Sequence, residues 1–515
     1  MEKEFLMGID VGTLGVKTQI FNSAGEAISS SYEEYPIISP KPNWAEEDPH
    51  QWWKATVNTI KSSIKKAKIN PEKIVAIGVC GQMHGIVPIA KDGKPLYNAI
   101  IWLCQRSTPQ LKWIEKNVGK EKVYKISGCV LQNTYTAPKI LWLKENEPQI
   151  FKNTYKFLFS KDFINYKLSG STMCTDWSMS SLTMLSDIAK IKWSEELCNL
   201  FDIPLEKLPE IHSPSSIIGE VCSEAATETG LKKGTPIVAG GSDFACLLLS
   251  VGVFSPERFM LSNGSCSGIA TCLNKPLFDE KMRIEGPLYH VIPNTWPLAV
   301  GVGTTGTVLR WFRDEFCNEE IYLARKLGID PYKIIDEEAS KIPVGSDGLL
   351  VIPLFSGERT PLFNPNARGV FFGFSLLHTK EHVARAILEG VGYCLRLQME
   401  ILEDLGFKIH EMRAIGGAVR SQLWMQIQAD ILNKDILLVN HEEGGVLGAA
   451  ILAGTGVGIF KDPINAIENI VKVTKRIKPR HEVHEKYIKL YNVYRKLYYG
   501  MHKYYDLLAK NSSNI

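Results

Sequence analysis

Two stretches of the chain carry the same order of apolar and polar positions. In the first, Phe5-Leu6-Met7 leads into Gly8-Ile9-Asp10-Val11-Gly12-Thr13-Leu14-Gly15 and then Val16-Lys17-Thr18-Gln19-Ile20-Phe21. In the second, Phe259-Met260-Leu261 leads into Ser262-Asn263-Gly264-Ser265-Cys266-Ser267-Gly268 and then Ile269-Ala270-Thr271-Cys272. Each predicts a hairpin, with an apolar strand, a glycine turn and a returning strand. Glycine turns tightly and lets backbone N–H groups approach a ligand, and the neighbouring hydroxyls add donors. One such turn is a weak phosphate signal. Two, about half a chain apart, predict a duplicated domain that holds a nucleotide's phosphates between its copies.

The pattern elsewhere extends this plan. A third strand follows the turn at Asn22-Ser23-Ala24-Gly25, and Trp52 to Ile64 has helical spacing, opened by Asp48-Pro49. Ile74 to Cys80 is an apolar strand ending in the loop Gly81-Gln82-Met83-His84-Gly85. Residues 105–235 read as mostly helical, with breaks at Gly128, Gly170 and Pro204. Pro236 to Asp243 predicts a strand running into a helix at Phe244 to Val251. The second half repeats the order: a hairpin at 258–273, a strand at 298–300, Gly301 to Gly306 and a helix through Trp311. A strand at Gly348 to Pro353 enters Ser356-Gly357-Glu358-Arg359-Thr360-Pro361. A helix at 380–404, a strand at Met412 to Ile415 and the turn Gly416-Gly417-Ala418 come next. Small residues from Gly444 to Ala450 mark a helix start, and 482–508 reads as a terminal amphipathic helix. Strands alternating with helices mean an α/β protein, and the hairpins exclude a purely parallel sheet.

A chain of 515 residues is too long for one core, so two domains are expected, 1–252 and 253–515. A net charge of +3 gives no electrostatic case for nucleic acid or a membrane surface. No apolar run approaches the roughly 20 residues of a membrane span. Met1-Glu2-Lys3-Glu4-Phe5 reads as the approach to a strand, not as a signal peptide, so a cytoplasmic protein is expected. The 11 cysteines form no C-x-x-C pair and are odd in number, which predicts reduced thiols and no structural zinc.

Several residues could carry chemistry. Asp10, in the first glycine turn, reads either as a turn aspartate bonded to its own backbone or as a Mg²⁺ ligand, since a bare carboxylate would repel phosphate. Asp243, between a strand and a helix, reads as an N-cap, as a general base for a substrate hydroxyl, or as both. Met83 and His84 lie on a loop at a strand's carboxyl end, where α/β proteins gather ligands. Gln82 and His84 offer the donors and acceptors that a polyol needs. Arg359 reads equally as half of a salt bridge locking its loop and as a ligand. Gly306, Gly416 and Gly417 would let a flat base or ribose approach the backbone. The spacing Gly8-x-x-x-Gly12-x-x-Gly15 departs from the dinucleotide G-x-G-x-x-G, which weighs against a dehydrogenase.

The ordered set Gly8-Ile9-Asp10-Val11-Gly12-Thr13, Gly81-Gln82-Met83-His84-Gly85, Gly240-Gly241-Ser242-Asp243, Ser356 to Pro361 and Gly416-Gly417-Ala418 resembles the FGGY carbohydrate kinases over nearly the whole chain. The resemblance implies two actin-like, ribonuclease-H-like domains around a cleft, and transfer of the γ-phosphoryl group of ATP, with Mg²⁺, to a sugar or polyol. It further implies Asp243 as base, with Gln82, Met83 and His84 at the sugar. Asp10 would serve the metal, Gly12, Thr13, Gly264 and Ser265 the phosphates, and Gly306, Gly417 and Ser421 the nucleotide. Pro42 to Pro49 and Thr136 to Trp142 look like the xylulokinase branch. Gly301 to Glu315 and Leu349 to Gly373 look like gluconate kinases, and the second pair is expected on the nucleotide side of the cleft. Two departures bear on the sugar. Cys104 stands where the family often has an acidic residue, so a polar contact is expected to be lost. Phe244 follows Asp243 where xylulokinases tend to have Asn, which narrows the pocket. A homodimer is left open, and a non-catalytic nucleotide switch of the actin or Hsp70 kind is the reading from another class.

Overall fold

The computed structural model describes residues 4–442 and 444–512. Met1 to Lys3, part of the leader reading, lie outside the described residues. The first half forms a sheet from β1 (Phe5–Val11), β2 (Gly15–Asn22), β3 (Ala27–Glu34), β4 (Ile74–Gly81), β5 (Ile217–Glu220) and β6 (Pro236–Val238). The second half forms another from β7 (Phe259–Asn263), β8 (Ser267–Leu273), β9 (Trp296–Val302), β10 (Glu411–Ile415), β11 (Asp435–Val439) and β12 (Val473–Ile477).

The two sheets share their strand positions and directions, but the outer two strands are reached in opposite chain order, and a short seventh strand, Gly241–Ser242, also pairs with β4 in the first. The first runs β5-β6-β4-β1-β2-β3 and the second β12-β11-β10-β7-β8-β9. In each, the glycine-turn hairpin is antiparallel and its first strand pairs in parallel with the next central strand. In each, the far edge strand is antiparallel to its neighbour. The duplication read from two turns therefore extends to all six positions, and it is the actin-like plan expected. Residues 105–235 differ from expectation. Their helices are interleaved with short strand pairs, such as Cys174–Asp176 beside Glu210–His212. Those strands are three residues long, too short for a period of two to show.

Five helices position the site: α1 (Pro49–Ala67), α2 (Ser160–Ser169), α3 (Asp243–Ser250), α4 (Lys380–Asp404) and α5 (Gly445–Gly456). Helix α1 starts where the sequence places it, with the Asp48 side chain accepting from the amide of His50 at 2.9 Å. Helix α5 comes late in the chain but lies on the first sheet, where Leu447, Ala450 and Ile451 join Leu6, Ala76 and Val238 in one core. Two glycines make the approach close enough. A Cβ on Gly8 would lie 2.0 Å from the carbonyl oxygen of Val446, and one on Gly78 would lie 2.0 Å from that of Ala449. Helix α5 thus ties the chain's end to its beginning and delivers its own N-terminus to Asp10. A last helix, α6 (His481–Ser512), buries Tyr487, Tyr491, Tyr494 and Tyr498 against the second half. It is the amphipathic helix expected there.

Candidate active site

A cavity opens between the two halves. The first half lines it with Met83, His84, Tyr135, Leu182 and Phe244, and the second with Cys266, Glu285, Gly301 and Arg359, among others. Gly301 and Arg359 belong to segments expected on the nucleotide side of the cleft. In the structure both share the wall with Met83 and His84.

His84 has φ of 66°, in the left-handed region that non-glycine residues rarely adopt. The strain is held by contacts on both sides. Its Nδ1 lies 3.0 Å from the Leu182 carbonyl, its own carbonyl accepts from Thr136 Oγ1 at 3.1 Å, and its ring meets Tyr135 edge-on. Burial pushes the imidazole pKa down to about 3, so the ring is neutral near pH 7. With Nδ1–H donating to the carbonyl, Nε2 is left as an acceptor for a substrate hydroxyl.

Gln82 is placed differently from its two neighbours. Its Nε2 donates to Glu47 at 2.7 Å, and its Oε1 accepts from Thr13 Oγ1 at 3.3 Å. Trp102 Nε1 donates to the same Thr13 oxygen at 2.8 Å. Gln82 therefore links the first glycine turn to the acceptor loop, and the Thr13 hydroxyl is committed within the protein. What that turn offers a phosphate is backbone, at Gly12 and Thr13.

Asp243 precedes Phe244 of the cavity wall, and it lies near enough to Asp10, in the first glycine turn, to feel its charge. The N-cap reading fails for a specific reason: Ser242 caps α3, its Oγ accepting from the amide of Ala245 at 3.2 Å. Asp243 is the first helical residue, and its only hydrogen bond among the described residues comes from the adjacent amide of Phe244, at 2.7 Å. Burial first, and the charge of Asp10 second, push its pKa up to about 8. Burial likewise raises Asp10 to about 6, against a hydrogen bond from Cys80 and the charge of Lys17. Oδ1 of Asp10 is buried without a hydrogen-bond partner. An orphaned carboxylate oxygen beside a second carboxylate suits a divalent cation that keeps most of its waters. The described residues hold no cluster of three or more acidic, His or Cys ligands, so Mg²⁺ would draw its other ligands from phosphate and water.

The turn that presents Asp243 is braced by buried charge. Lys161 on α2 pairs with Asp162 at 2.5 Å and Asp176 at 3.1 Å, and donates to the Ala239 carbonyl at 3.0 Å. Asn165 reaches the same carbonyl at 3.0 Å. Asp176 accepts from Ser178 Oγ, which in turn accepts from the amide of Ser242 at 2.9 Å. This chain of contacts fixes residues 239–242 and, through them, the direction of Asp243.

On the other side of the cleft, the turn at Gly264 and Ser265 packs on the helix Gly306–Phe316. A Cβ on Gly306 would lie 2.4 Å from the Gly264 carbonyl, so Gly306 serves this packing as well as any nucleotide. Gly417 has open space where a Cβ would stand, consistent with a surface left free for a flat ligand. The Ser421 hydroxyl caps the helix Gln422–Leu432 by accepting from Trp424 at 3.0 Å.

The expectation of a lost polar contact at Cys104 needs correcting. Arg106 Nε donates to Cys104 Sγ at 2.9 Å, while Arg106 pairs with Glu46 at 2.7 Å and covers the Trp44 ring. The sulfur takes Nε, while Nη2 of the same guanidinium is left without a hydrogen-bond partner among the described residues. Arg359 forms the salt bridge foreseen, with Glu285 as its partner. Glu358 binds Tyr498 and His502 of α6. Glu285, Tyr135 and Leu182 went unmarked in the sequence, because nothing in their local pattern separates a cavity wall from packing.

Comparison with known proteins places the whole chain. Residues 5–250 match the model of the FGGY family of carbohydrate kinases, N-terminal domain, and residues 261–457 match its C-terminal domain. The chain is 30% identical over 495 residues to a xylulose kinase of Bacillus subtilis, covering 96% of this chain and 97% of that one. It is 31% identical over 507 residues to a gluconokinase of the same organism, covering 98% of each. A ligand-bound xylulose kinase structure from Lactobacillus acidophilus superposes with a TM-score of 0.89 at 26% identity, covering 98% of this chain and 100% of that one. No helix among the described residues is long and apolar enough to cross a membrane.

Proposed function

The chain belongs to the FGGY family of carbohydrate kinases, and we propose that it transfers the γ-phosphoryl group of ATP to a hydroxyl of D-xylulose or a similar ketose or polyol. The class is thereby an enzyme, a sugar phosphotransferase, and not the nucleotide switch considered as its alternative. The observation that carries the mechanism is Asp243, freed from capping, next to Phe244 of the cavity wall and near enough to Asp10 to feel its charge. Its carboxylate takes the proton of the attacking hydroxyl, the one base that phosphoryl transfer asks of a protein. A pKa raised to about 8 suits a base working near neutral pH. His84 Nε2 accepts from a second acceptor hydroxyl and fixes its orientation. The backbone of Gly12, Thr13, Gly264 and Ser265 holds phosphate, while Gly306, Gly417 and Ser421 border the nucleotide. Mg²⁺ held by Asp10 would neutralise phosphate charge.

Domain 1–252 on this reading carries the base and the sugar-binding residues Met83 and His84, and 253–515 carries the nucleotide and closes the acceptor cavity from the other side. The protein works in the cytoplasm. Exposed Phe374, Leu376 and Leu377 on one loop support self-association as a homodimer, which light scattering tests.

A gluconate kinase is the second reading, favoured by the gluconokinase relative at near-complete coverage. A coupled ADP-release screen over ketoses, aldonates and polyols decides between them. Sugar-dependent turnover with D-xylulose or D-ribulose supports the first reading. Turnover with D-gluconate alone supports the second, and absence of turnover with all three classes overturns both.

A further inference from the structure

The acceptor cavity has a wall of fixed charge supplied by the second half of the chain. Arg359 and Glu285 lie side-on: Nε donates to Oε1 at 2.8 Å and Nη2 to Oε2. This bidentate fork uses two of the guanidinium's three nitrogens. The third, Nη1, has no protein acceptor among the described residues and lies beside Gly301 in the cavity wall. The loop carrying Arg359 is itself clamped. The amide of Gly301 donates to Thr360 Oγ1 at 2.8 Å, and Gln398 on α4 donates to the carbonyls of Gly301 and Thr360 at 2.8 and 3.0 Å. The fork is thus a rigid feature of the site.

Charge around the cavity decides what it accepts. Among the described residues of the wall Arg359 is the only cation, and Glu285 cancels it. His84 is neutral. Lys139 lies off the wall, donates to three backbone carbonyls, at Asn133, Thr134 and Tyr135, and has its pKa pushed by burial down to about 7. Asp243 and Asp10, whose pKa values burial raises, supply no cation either. A free carboxylate entering this cavity would meet no uncompensated cation on its wall, and burying it unpaired is costly. An uncharged acceptor, by contrast, can take a charge-assisted hydrogen bond from Nη1 and lose nothing.

We propose that Arg359 and Glu285 form the specificity device of the acceptor site: Arg359 Nη1 binds an acceptor hydroxyl, and Glu285 keeps sugar acids out by neutralising Arg359. This rests on the kinase reading above and narrows its acceptor to the uncharged class. The device predicts that Glu285→Gln, which releases the guanidinium's charge and keeps the side chain's size and one of the fork's two acceptors, opens the site to aldonates.

The test is calorimetric binding of D-xylulose, xylitol and D-gluconate to the full chain with a non-hydrolysable ATP analogue, for wild type, Arg359→Met and Glu285→Gln. At least one neutral acceptor should bind wild type tenfold or more tightly than D-gluconate. Arg359→Met should weaken that acceptor at least tenfold and leave the nucleotide's affinity within twofold. Glu285→Gln should move the ratio of gluconate to neutral-acceptor affinity at least tenfold toward gluconate. Tighter gluconate binding by wild type, no neutral acceptor bound, or an unchanged ratio in Glu285→Gln each overturns the proposal. ADP release measured on the same samples separates the two readings, since binding in the predicted order without turnover refutes the kinase assignment and leaves the charge device standing.

Discussion

Ser242 caps helix α3 with its own hydroxyl and so leaves the carboxylate of its neighbour, Asp243, out of the helix. A structural residue and a chemical residue sit side by side, and substitution separates them. Asp243→Asn should lower kcat by a factor of about 10² to 10⁴, the usual worth of a positioned base, with ATP-analogue binding kept. Ser242→Ala should cost roughly 1 kcal/mol of stability, as lost caps do, and keep most of the turnover. Wild-type turnover in Asp243→Asn would refute the assignment of the base.

The two carboxylates of the cleft make stability fall as pH rises. Asp10 and Asp243 have folded pKa values raised to about 6 and about 8, while their unfolded values stay near 3.8. Below pH 3.8 both states hold these protons, so the groups contribute nothing. Between that pH and the folded values the unfolded chain has released protons that the folded chain retains, so stability declines with pH. Asp243→Asn removes one titration and should therefore melt higher than wild type. The gap should grow from pH 5 to pH 8 and reach a few degrees, on the scale by which a kcal/mol shifts Tm. Scanning calorimetry at four pH values checks it, and a gap that shrinks with pH contradicts the environment described for Asp243.

His84 should act without titrating. Its pKa of about 3 lies far below the working range, so the acceptor KM should show no inflection between pH 5.5 and 7.5 from this ring. His84→Asn tolerates the left-handed backbone that His84 adopts and deletes Nε2. Acceptor KM should rise roughly 5-fold to 100-fold, the range for leaving a buried partner unsatisfied, with the KM for ATP unchanged. Equal losses for both substrates would make the loop structural only.

Much of this site is legible in the sequence because its residues sit at breaks in pattern. Asp243 follows an apolar strand and opens a helix, and Met83-His84 fills the end of another strand. Glycines flank both. The Arg359–Glu285 pair is different. Its members are 74 residues apart, and Glu285 lies in an irregular stretch between β8 and β9 where no period constrains it. Helix α5 shows the same limit at the level of the fold. Its run of small apolar residues says that it is buried, and nothing in that run names the first sheet as its partner. The signal lies on the other side of the contact, at Gly8 and Gly78, where strands give up side chains to let a helix come near.

That contact supplies the last prediction. Helix α5 meets the first sheet through backbone at Gly8 and meets Asp10 through Gly445, so the same small change at the two positions should fail differently. A Cβ on Gly8 would lie 2.0 Å from the Val446 carbonyl, and neither a strand nor a helix backbone can move aside cheaply. Gly8→Ala should therefore force α5 off the sheet, at about 1–3 kcal/mol or more, and lower the melting temperature together with every ligand affinity. A Cβ on Gly445 would lie 2.8 Å from Oδ2 of Asp10, the end of a side chain that can rotate away. Gly445→Ala should leave the melting temperature within a degree or two, yet turn the Asp10 carboxylate from its place. Its mark should be a raised Mg²⁺ requirement for ATP turnover with acceptor KM unchanged. Titrating Mg²⁺ at fixed ATP for both variants, beside their melting curves, measures this. If Gly445→Ala melts as early as Gly8→Ala, the N-terminus of α5 is a structural contact and not the back wall of a metal site.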